Sequence, residues 1–215
     1  VTGEERMIVS DVPGTTRDAI DTYFEKGGDK YVFIDTAGLR KQSKVTENIE
    51  RYSALRAWTA IERADVCVIM IDAVEGVTEQ DTKIAGYAHE QGKASIIVVN
   101  KWDLAEKETG TLEEYRKTVY EKFGFMQYAP VIFISVKTGQ RLDKLLELVK
   151  YVFNQAALRI STGMLNDLLN EATAMVQPPS DKGKRLKLYY GTQSAVRPPT
   201  FILFVNDIEL FHYSY

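Results

Sequence analysis

Residues 95–103 have the sequence Ser-Ile-Ile-Val-Val-Asn-Lys-Trp-Asp. The first five are mostly β-branched and show no alternation of apolar and polar positions, which is typical of a strand buried on both faces. Polar and charged side chains then follow at the carboxyl end of that strand. Because ligands of open α/β sheets bind at such strand ends, the pattern predicts an α/β fold with a binding site after this strand.

The segment Asn100-Lys-Trp-Asp103 suits recognition of guanine. Guanine presents an N1–H and an N2 amino group side by side, and the Asp103 carboxylate can accept both, which adenine does not offer. The Asn100 side chain can tie neighbouring loops together, and the Lys101 stem can lie along the base plane. We interpret these four residues as nucleotide-binding, namely Asn100, Lys101, Trp102 and Asp103.

Strands and helices alternate along the first 154 residues, as in a mostly parallel sheet with helices on both faces. Strands buried on both faces are predicted at Tyr31–Ile34, Val66–Ile71, Ser95–Val99 and Val131–Ile134. Helices are predicted at about 47–63, 78–91, 112–123 and 142–153. An earlier strand, Asp21–Lys26, is predicted to pair with Tyr31–Ile34 across a Gly27-Gly28-Asp29 turn.

Three further segments carry residue types that bind phosphate, Mg²⁺ or guanine. Pro13-Gly-Thr-Thr-Arg-Asp18 is a loop with hydroxyls, Asp35-Thr-Ala-Gly38 ends a strand with an acid and a glycine, and Ser135-Val-Lys137 offers backbone N–H groups to the guanine O6. We interpret Asp35, Gly38 and one threonine of the first loop as catalytic, and Asp35 and that threonine as metal ligands. The family resemblance given below implies that the threonine is Thr16. The other predicted nucleotide-binding residues are Thr15, Thr16, Asp35, Thr36, Ala37, Gly38, Leu39, Ser135, Val136 and Lys137.

The pattern changes after Asn154, which predicts one domain over 1–154 and a small α+β domain over 155–215. In the second domain we expect a strand at Leu158–Ser161, a helix at Thr162–Met175 and strands at Leu186–Tyr190 and Phe201–Val205. Residues 155–215 hold six Lys/Arg against five Asp/Glu, although the whole chain carries a net charge of −3. Four of the six lie in Lys182–Lys187, which predicts RNA contact there.

Two interpretations of the second domain stay open. It contacts RNA through its basic loop, or it only packs on the first domain and relays its state. Tyr189, Tyr190 and the run Phe201–Phe204 are interpreted as core residues and not as platforms for stacked bases. Cys67 lies in an apolar run and is interpreted as a buried hydrophobic residue. The single cysteine and the lack of any apolar run near ~18 residues predict a cytoplasmic protein with no membrane partner, and we expect no DNA partner.

Taken together, these motifs resemble the Der (EngA) family of bacterial GTPases. The resemblance rests on Pro13–Asp18 and Asp35-Thr-Ala-Gly-Leu-Arg-Lys41 and extends over essentially the whole chain, including Asn166-Asp-Leu168 and Pro198–Asn206. It implies a P-loop-type GTPase domain followed by a KH-like domain, with GTP or GDP and Mg²⁺ as ligands. It also implies a GTP-hydrolysing switch in assembly of the large ribosomal subunit. The implied partners are the ribosome or its RNA and a first GTPase domain of the same protein.

One part of the family pattern does not occur in these 215 residues, the Gly-x-x-x-x-Gly-Lys-Ser/Thr phosphate loop. The resemblance places it upstream of Gly3, and it places the end of the KH-like domain beyond Tyr215. We therefore expect hydrolysis in the intact protein and not in residues 1–215 alone. The alternative is a non-catalytic guanine-nucleotide-sensing module that binds RNA or protein, and an intact phosphate loop upstream would favour hydrolysis.

Leu39 leads to a prediction about salt. Many GTPases place a glutamine after Asp-x-x-Gly to orient the attacking water, and leucine cannot hydrogen-bond water. The resemblance implies a potassium ion beside the phosphates, whereas Arg17 and Arg40 fit as surface residues or as alternative sources of that charge. We expect the full-length protein to hydrolyse GTP faster in KCl than in NaCl at equal ionic strength. Phosphate release measured in both salts tests this, and equal rates would contradict it.

Overall fold

A computed structural model describes residues 20–35, 57–105, 110–181 and 183–211, without the side chains of Ile20, Asp35 and Asp181. These residues fall into two compact units, divided between Phe153 and Asn154. Among the described helices, none combines the length and the apolar character that crossing a bilayer requires.

An antiparallel hairpin opens the first unit. Its strands are β1 (Ile20–Lys26) and β2 (Asp29–Asp35), joined by Gly27 and Gly28. Both glycines have positive φ, 63° and 83°, which a two-residue hairpin turn of this kind requires. The predicted hairpin is confirmed. The prediction that Tyr31–Ile34 is buried on both faces is wrong for the described residues, because β2 pairs there with β1 alone and Val32 is half-exposed.

A parallel three-stranded sheet forms the centre of the first unit. Its strands are β3 (Val66–Asp72), β4 (Ala94–Asn100) and β5 (Val131–Phe133), in the order β3-β4-β5. The helices are α1 over 57–63, α2 (Glu79–Glu90), α3 (Thr111–Lys122) and α4 (Leu142–Ala156). The predicted boundary at residue 154 stays a prediction, and α4 runs past it without a break.

Two cores cover the two faces of β4. On one face Ile97 and Val99 pack with Val119 and Phe123 at the end of α3, and on the other Ile96 and Val98 pack with α4. Helices therefore lie on both faces of the sheet, as predicted. Cys67 is buried under α1 and α2. Burial raises the pKa of its thiol to about 11, so it stays protonated and acts as a core residue, as predicted.

In the second unit one helix packs against a hairpin. α5 (Thr162–Met175) is followed by the short strands β6 (Ser180–Asp181) and β7 (Lys184–Arg185), and then by β8 (Leu188–Ala195) and β9 (Thr200–Val205). β6 pairs with β7 and β8 pairs with β9, both antiparallel. α5 begins and ends where predicted. β8 extends five residues further than predicted, up to Ala195.

The predicted strand at Leu158–Ser161 does not form. The side chain of Gln193 takes the place of a neighbouring strand, because its Oε1 accepts the Ile160 N–H at 2.7 Å and its Nε2 donates to the Leu158 carbonyl at 3.1 Å. The backbone of this segment is thus satisfied without a ladder. Ser161 then caps α5 by accepting the Met164 N–H.

The prediction that the aromatic residues of β8 and β9 form the core of this unit is also wrong. Tyr189 and Tyr190 are 64% and 46% exposed, and Phe201 and Phe204 are 41% and 40% exposed. In the described residues α5 covers one face of this hairpin, and Tyr190 and Phe204 lie on the other face. The apolar pattern identified the strands but not how many layers cover them.

Asn166 and Gly191 hold α5 against β8. The Asn166 Oδ1 accepts the Gly191 N–H at 2.8 Å, and its Nδ2 donates to the Gly191 carbonyl at 3.0 Å. A Cβ at position 191 would lie 2.6 Å from the Leu169 Cδ1 and 2.9 Å from the Leu203 Cδ2, so any other residue here would require these leucine side chains to shift. Leu165, Leu169 and Leu203 pack around this point, and the amide clamp adds polar contacts to that apolar packing.

Asn166→Ala should therefore destabilise the second unit. It leaves the buried N–H and C=O of Gly191 without partners, which costs about 2–3 kcal/mol. Urea unfolding combined with hydrogen exchange at the Gly191 amide measures the loss. The matched control is Asn170→Ala, one turn further along α5 and exposed, which should change stability by less than ~0.5 kcal/mol. Equal effects of the two substitutions would show that the clamp is not responsible.

Candidate nucleotide-binding site

The carboxyl ends of the three parallel strands meet at one edge of the sheet. Asp72 at the end of β3 is in register with Asn100 at the end of β4. β5 ends at Phe133, and the next residue, Ile134, donates its N–H to the Val99 carbonyl at 2.8 Å. The loops that begin at residues 73, 101 and 135 therefore start side by side, where ligands bind in open α/β sheets.

Asn100 links all three of these loops. Its Oδ1 accepts the Val136 N–H at 3.1 Å, and its carbonyl accepts the Ala73 N–H at 2.9 Å. One residue thus fixes the loop after β5 through its side chain and the loop after β3 through its backbone. The amide side chain suits this position because it can accept from a backbone N–H without bringing a charge.

Lys101 lies against Asp72. Its φ is 60°, in the left-handed region that non-glycine residues rarely adopt, and its Nζ lies 2.7 Å from the Asp72 Oδ2. The Asp72 side chain is 9% exposed and the Lys101 side chain 52%. The other Asp72 oxygen accepts the Val74 N–H at 2.9 Å. The carboxylate therefore holds both the lysine and the turn after β3.

The pKa of Asp72 reflects this environment. Burial alone would raise the pKa, but the hydrogen bond and charge of Lys101 and the backbone N–H of Val74 outweigh burial and lower it. Asp72 is thus an anion at neutral pH, paired with Lys101.

Trp102 lies in the core. It is 4% exposed, its ring centroid lies 4.5 Å from that of Phe133, and Tyr115 packs edge-on at 5.5 Å. The backbone N–H of Trp102 donates to the Ile134 carbonyl at 3.0 Å. We therefore expect Trp102 to anchor the loop and not to line the nucleotide site, which revises its predicted role. Asp103, one residue on, is half-buried beside this anchor.

The N–H groups of 135–137 are not equally available. Ser135 donates to the Gln140 carbonyl at 3.2 Å and Val136 donates to Asn100, while the Ser135 Oγ accepts the Thr138 N–H at 3.2 Å. Within the ranges that the structure describes, the Lys137 N–H has no protein acceptor. Of the three groups predicted to read the guanine O6, this one is the best placed to donate to a ligand.

The predicted phosphate and metal residues lie outside the described residues. These are Thr15, Thr16, Thr36, Ala37, Gly38 and Leu39, and of Asp35 only the backbone at the end of β2 is described. In the described ranges no three His, Cys, Asp or Glu residues come together as a metal site. Mg²⁺ at Thr16 and Asp35 therefore stays a prediction.

Asp72 is a residue of the candidate site that the motif analysis missed. A signal for it exists, since Asp72 follows the apolar run 66–71 just as Asn100 follows 95–99. A single acid after a strand carries little information by itself. Its importance depends on the register that places it next to Asn100 and Lys101.

Two family models match the chain. One is described as 50S ribosome-binding GTPase and matches residues 1–101; the other is described as KH-domain-like of EngA bacterial GTPase enzymes, C-terminal, and matches residues 159–215. GTPase Der of Acetivibrio thermocellus is 76% identical over all 215 residues, which cover 49% of that protein. The chain therefore spans about half the length of the curated relatives it matches.

Solved structures agree on the fold. Era in complex with MgGDPNP and part of 16S ribosomal RNA is 26% identical with a TM-score of 0.58, over 66% of this chain and 47% of that one. A variant of Aquifex aeolicus Era bound to GDP·AlF4⁻ is 20% identical with a TM-score of 0.59, over 95% of this chain and 72% of that one. The predicted P-loop GTPase fold followed by a KH-like domain is confirmed.

Asp72→Asn should weaken the link between β3 and Lys101. The amide keeps the bond from Val74 but loses the charge, and because Lys101 is half-exposed we expect a loss of only about 0.5–1 kcal/mol at pH 7. Since pairing lowers the pKa of Asp72, its contribution is complete above the ordinary aspartate pKa of about 3.9 and disappears as the pH falls below it.

Urea unfolding followed by the fluorescence of Trp102 and Trp58 measures this difference between pH 7 and pH 3. The matched control is Asp65→Asn, an exposed acid directly before β3. A difference between wild type and Asp72→Asn that is the same at both pH values would contradict the ion-pair explanation.

Proposed function

We propose that this chain, which belongs to the Der (EngA) family of GTPases, forms the guanine-binding part of a GTP-hydrolysing switch protein. The observation that carries the proposal is the bond of 3.1 Å from the Val136 N–H to the Asn100 side chain. It holds the loops after β4 and β5 together at the sheet edge. A planar base needs groups from both loops, one to accept its N–H groups and one to donate to its carbonyl.

In this proposal each polar group has a defined role toward the base. The Asp103 carboxylate accepts the guanine N1–H and N2–H, and the Lys137 N–H donates to O6. The stem of Lys101 covers the base plane, while Asp72 fixes its ammonium group at 2.7 Å. Adenine carries an amino group where guanine carries O6 and lacks the 2-amino group, so this set of donors and acceptors selects against it.

Hydrolysis and switching are proposed for the full-length protein. Its relatives are named GTPase Der, and the Era structure at 26% identity holds MgGDPNP, which supports a guanine nucleotide as the ligand. We propose that Thr16, Asp35 and Gly38 sense the terminal phosphate and change conformation with it. Mg²⁺ at Thr16 and Asp35 and K⁺ beside the phosphates stay predictions from the family resemblance.

The proposed partner is the ribosome or its RNA, during assembly of the large subunit. The matching family is described as 50S ribosome-binding, and the Era neighbour holds a segment of 16S ribosomal RNA. In the second unit Lys184, Arg185 and Lys187 are exposed, and no carboxylate pairs with them among the described residues. The buried free thiol of Cys67 fits a cytoplasmic protein.

Substituting Asp103 tests the guanine assignment. In the full-length protein, Asp103→Asn replaces an acceptor with a donor, and each lost charged bond costs about 1.5–3 kcal/mol. GTP should bind about ten- to a hundredfold more weakly per bond, and xanthosine triphosphate, whose 2-oxo group accepts a donor, should become the better ligand. Titration and phosphate release with both nucleotides measure the change. Asp65→Asn serves as the control, and unchanged GTP affinity in Asp103→Asn would overturn the assignment.

A further inference from the structure

The outward face of the β8–β9 hairpin carries a stacked aromatic pair. Tyr190 and Phe204 are register partners, with ring centroids 4.3 Å apart and planes 10° apart. Their neighbours in register, Gly191 and Leu203, point the other way, toward Leu165 and Leu169 of α5. The stack is therefore on the face that α5 does not cover.

Both rings remain accessible. Tyr190 is 46% and Phe204 40% exposed, so each ring contacts the other through one side and keeps much of its remaining surface open. The next pair on this face, Thr192 and Ile202, adds a polar and an apolar side chain but no charge. A flat π surface of this kind can continue its stack with another planar group.

A basic segment is fixed beside the stack. Asn206 donates its N–H to the Lys187 carbonyl at 3.1 Å and accepts the Lys187 N–H through its side chain at 2.7 Å. Its Nδ2 donates to the Arg185 carbonyl at 3.1 Å. The Asn206 side chain thus holds 185–187 at the end of β9, two residues beyond Phe204. The side chains of Lys184, Arg185 and Lys187 in this segment are exposed.

We propose that this surface, made of Tyr190, Phe204, Arg185 and Lys187, binds single-stranded RNA. Unpaired bases extend the stack on the two rings, and the two cations pair with the phosphates of the same strand. The combination favours nucleic acid over a protein partner, because aromatic faces beside exposed cations match bases beside phosphates. Double-stranded RNA does not fit, since its bases are already stacked. The inference rests on the RNA partner of the proposed function and adds the surface and the binding mode.

The proposed mode differs from that of a usual KH domain. That domain clamps the RNA backbone with a Gly-x-x-Gly loop, and residues 159–215 contain no two glycines at this spacing. RNA binding by residues 159–215 therefore requires another surface. The uncovered face of the hairpin supplies both elements that single-strand binding needs, an aromatic platform and positive charge.

The test uses the full-length protein and a fluorescein-labelled 12-nucleotide single-stranded RNA of mixed sequence, with its duplex as a second probe. Tyr190→Leu and Phe204→Leu keep apolar volume but remove the π surface, and each should weaken binding of the single strand by about 5- to 50-fold. The matched control is Phe201→Leu, on the same strand but register partner of Gln193 on the opposite face, which should stay within about twofold. Tyr190→Phe should bind like wild type.

Two further measurements separate stacking from charge. A 2-aminopurine base in the strand should be quenched by wild type and not by Tyr190→Leu. Lys187→Gln should lower the slope of log K against log salt by about 0.7 and leave the quenching in place. Circular dichroism confirms that each variant is folded. GTP hydrolysis serves as a second check, because none of these residues belongs to the proposed nucleotide site.

The outcomes distinguish failure of the proposed RNA-binding surface from failure of the proposed function. If wild type binds the single strand and both leucine variants bind equally well, the surface is wrong and the RNA partner stands. Duplex bound as tightly as the single strand would also overturn the stacking mode. No RNA binding by wild type, together with normal GTP hydrolysis, would overturn both the surface and the RNA partner but not the GTPase.

Discussion

The burial of β4 on both faces determines where the polar residues after it can lie. Four of its central side chains, Ile96–Val99, enter two different cores, so a slip of one residue relative to β3 or β5 would move every one of them to the wrong face. The register is therefore fixed by packing and not by the loops. As a result Asp72 and Asn100 end their strands together, and Ser135 begins its loop next to them. Hydrophobic burial of the sheet therefore determines the geometry of the site.

Polar contacts then refine what the sheet positions. Lys101 adopts a backbone conformation that most residues avoid, and such positions persist where the surroundings over-determine them. Here the surroundings are the Asp72 carboxylate on one side and the buried Trp102 on the other. The loop is held by a salt bridge and by an anchor in the core, which leaves Asp103 at its end. A binding loop held in this way loses little conformational entropy when a ligand arrives.

The parts of the fold that were predictable are those in which local pattern and tertiary burial agree. β4, α5 and the Gly27-Gly28 turn are of this kind, because each has a period or a turn residue that permits one structure. The prediction of a strand at Leu158–Ser161 failed because the backbone of this segment bonds to the side chain of Gln193, which is more than thirty residues away. No local pattern contains that information. Asp72 was missed for the same reason, since its role appears only once the register is known.

The exposed aromatics of the second unit show a different limit. An apolar strand pattern indicates that the side chains prefer to be buried. It does not indicate whether a helix or another sheet covers that face of the strand. In the first unit the cores on both faces satisfy the preference. In the second, among the described residues, α5 packs on one face of the hairpin, and Asn166 holds Gly191 beside Leu165 and Leu169 at the closest approach. The opposite face keeps Tyr190 and Phe204 in contact with each other and with solvent. Exposing such a face to water costs free energy, and binding a planar partner recovers part of that cost. This is a physical reason for a binding surface to lie on the face of β8 and β9 that α5 does not cover.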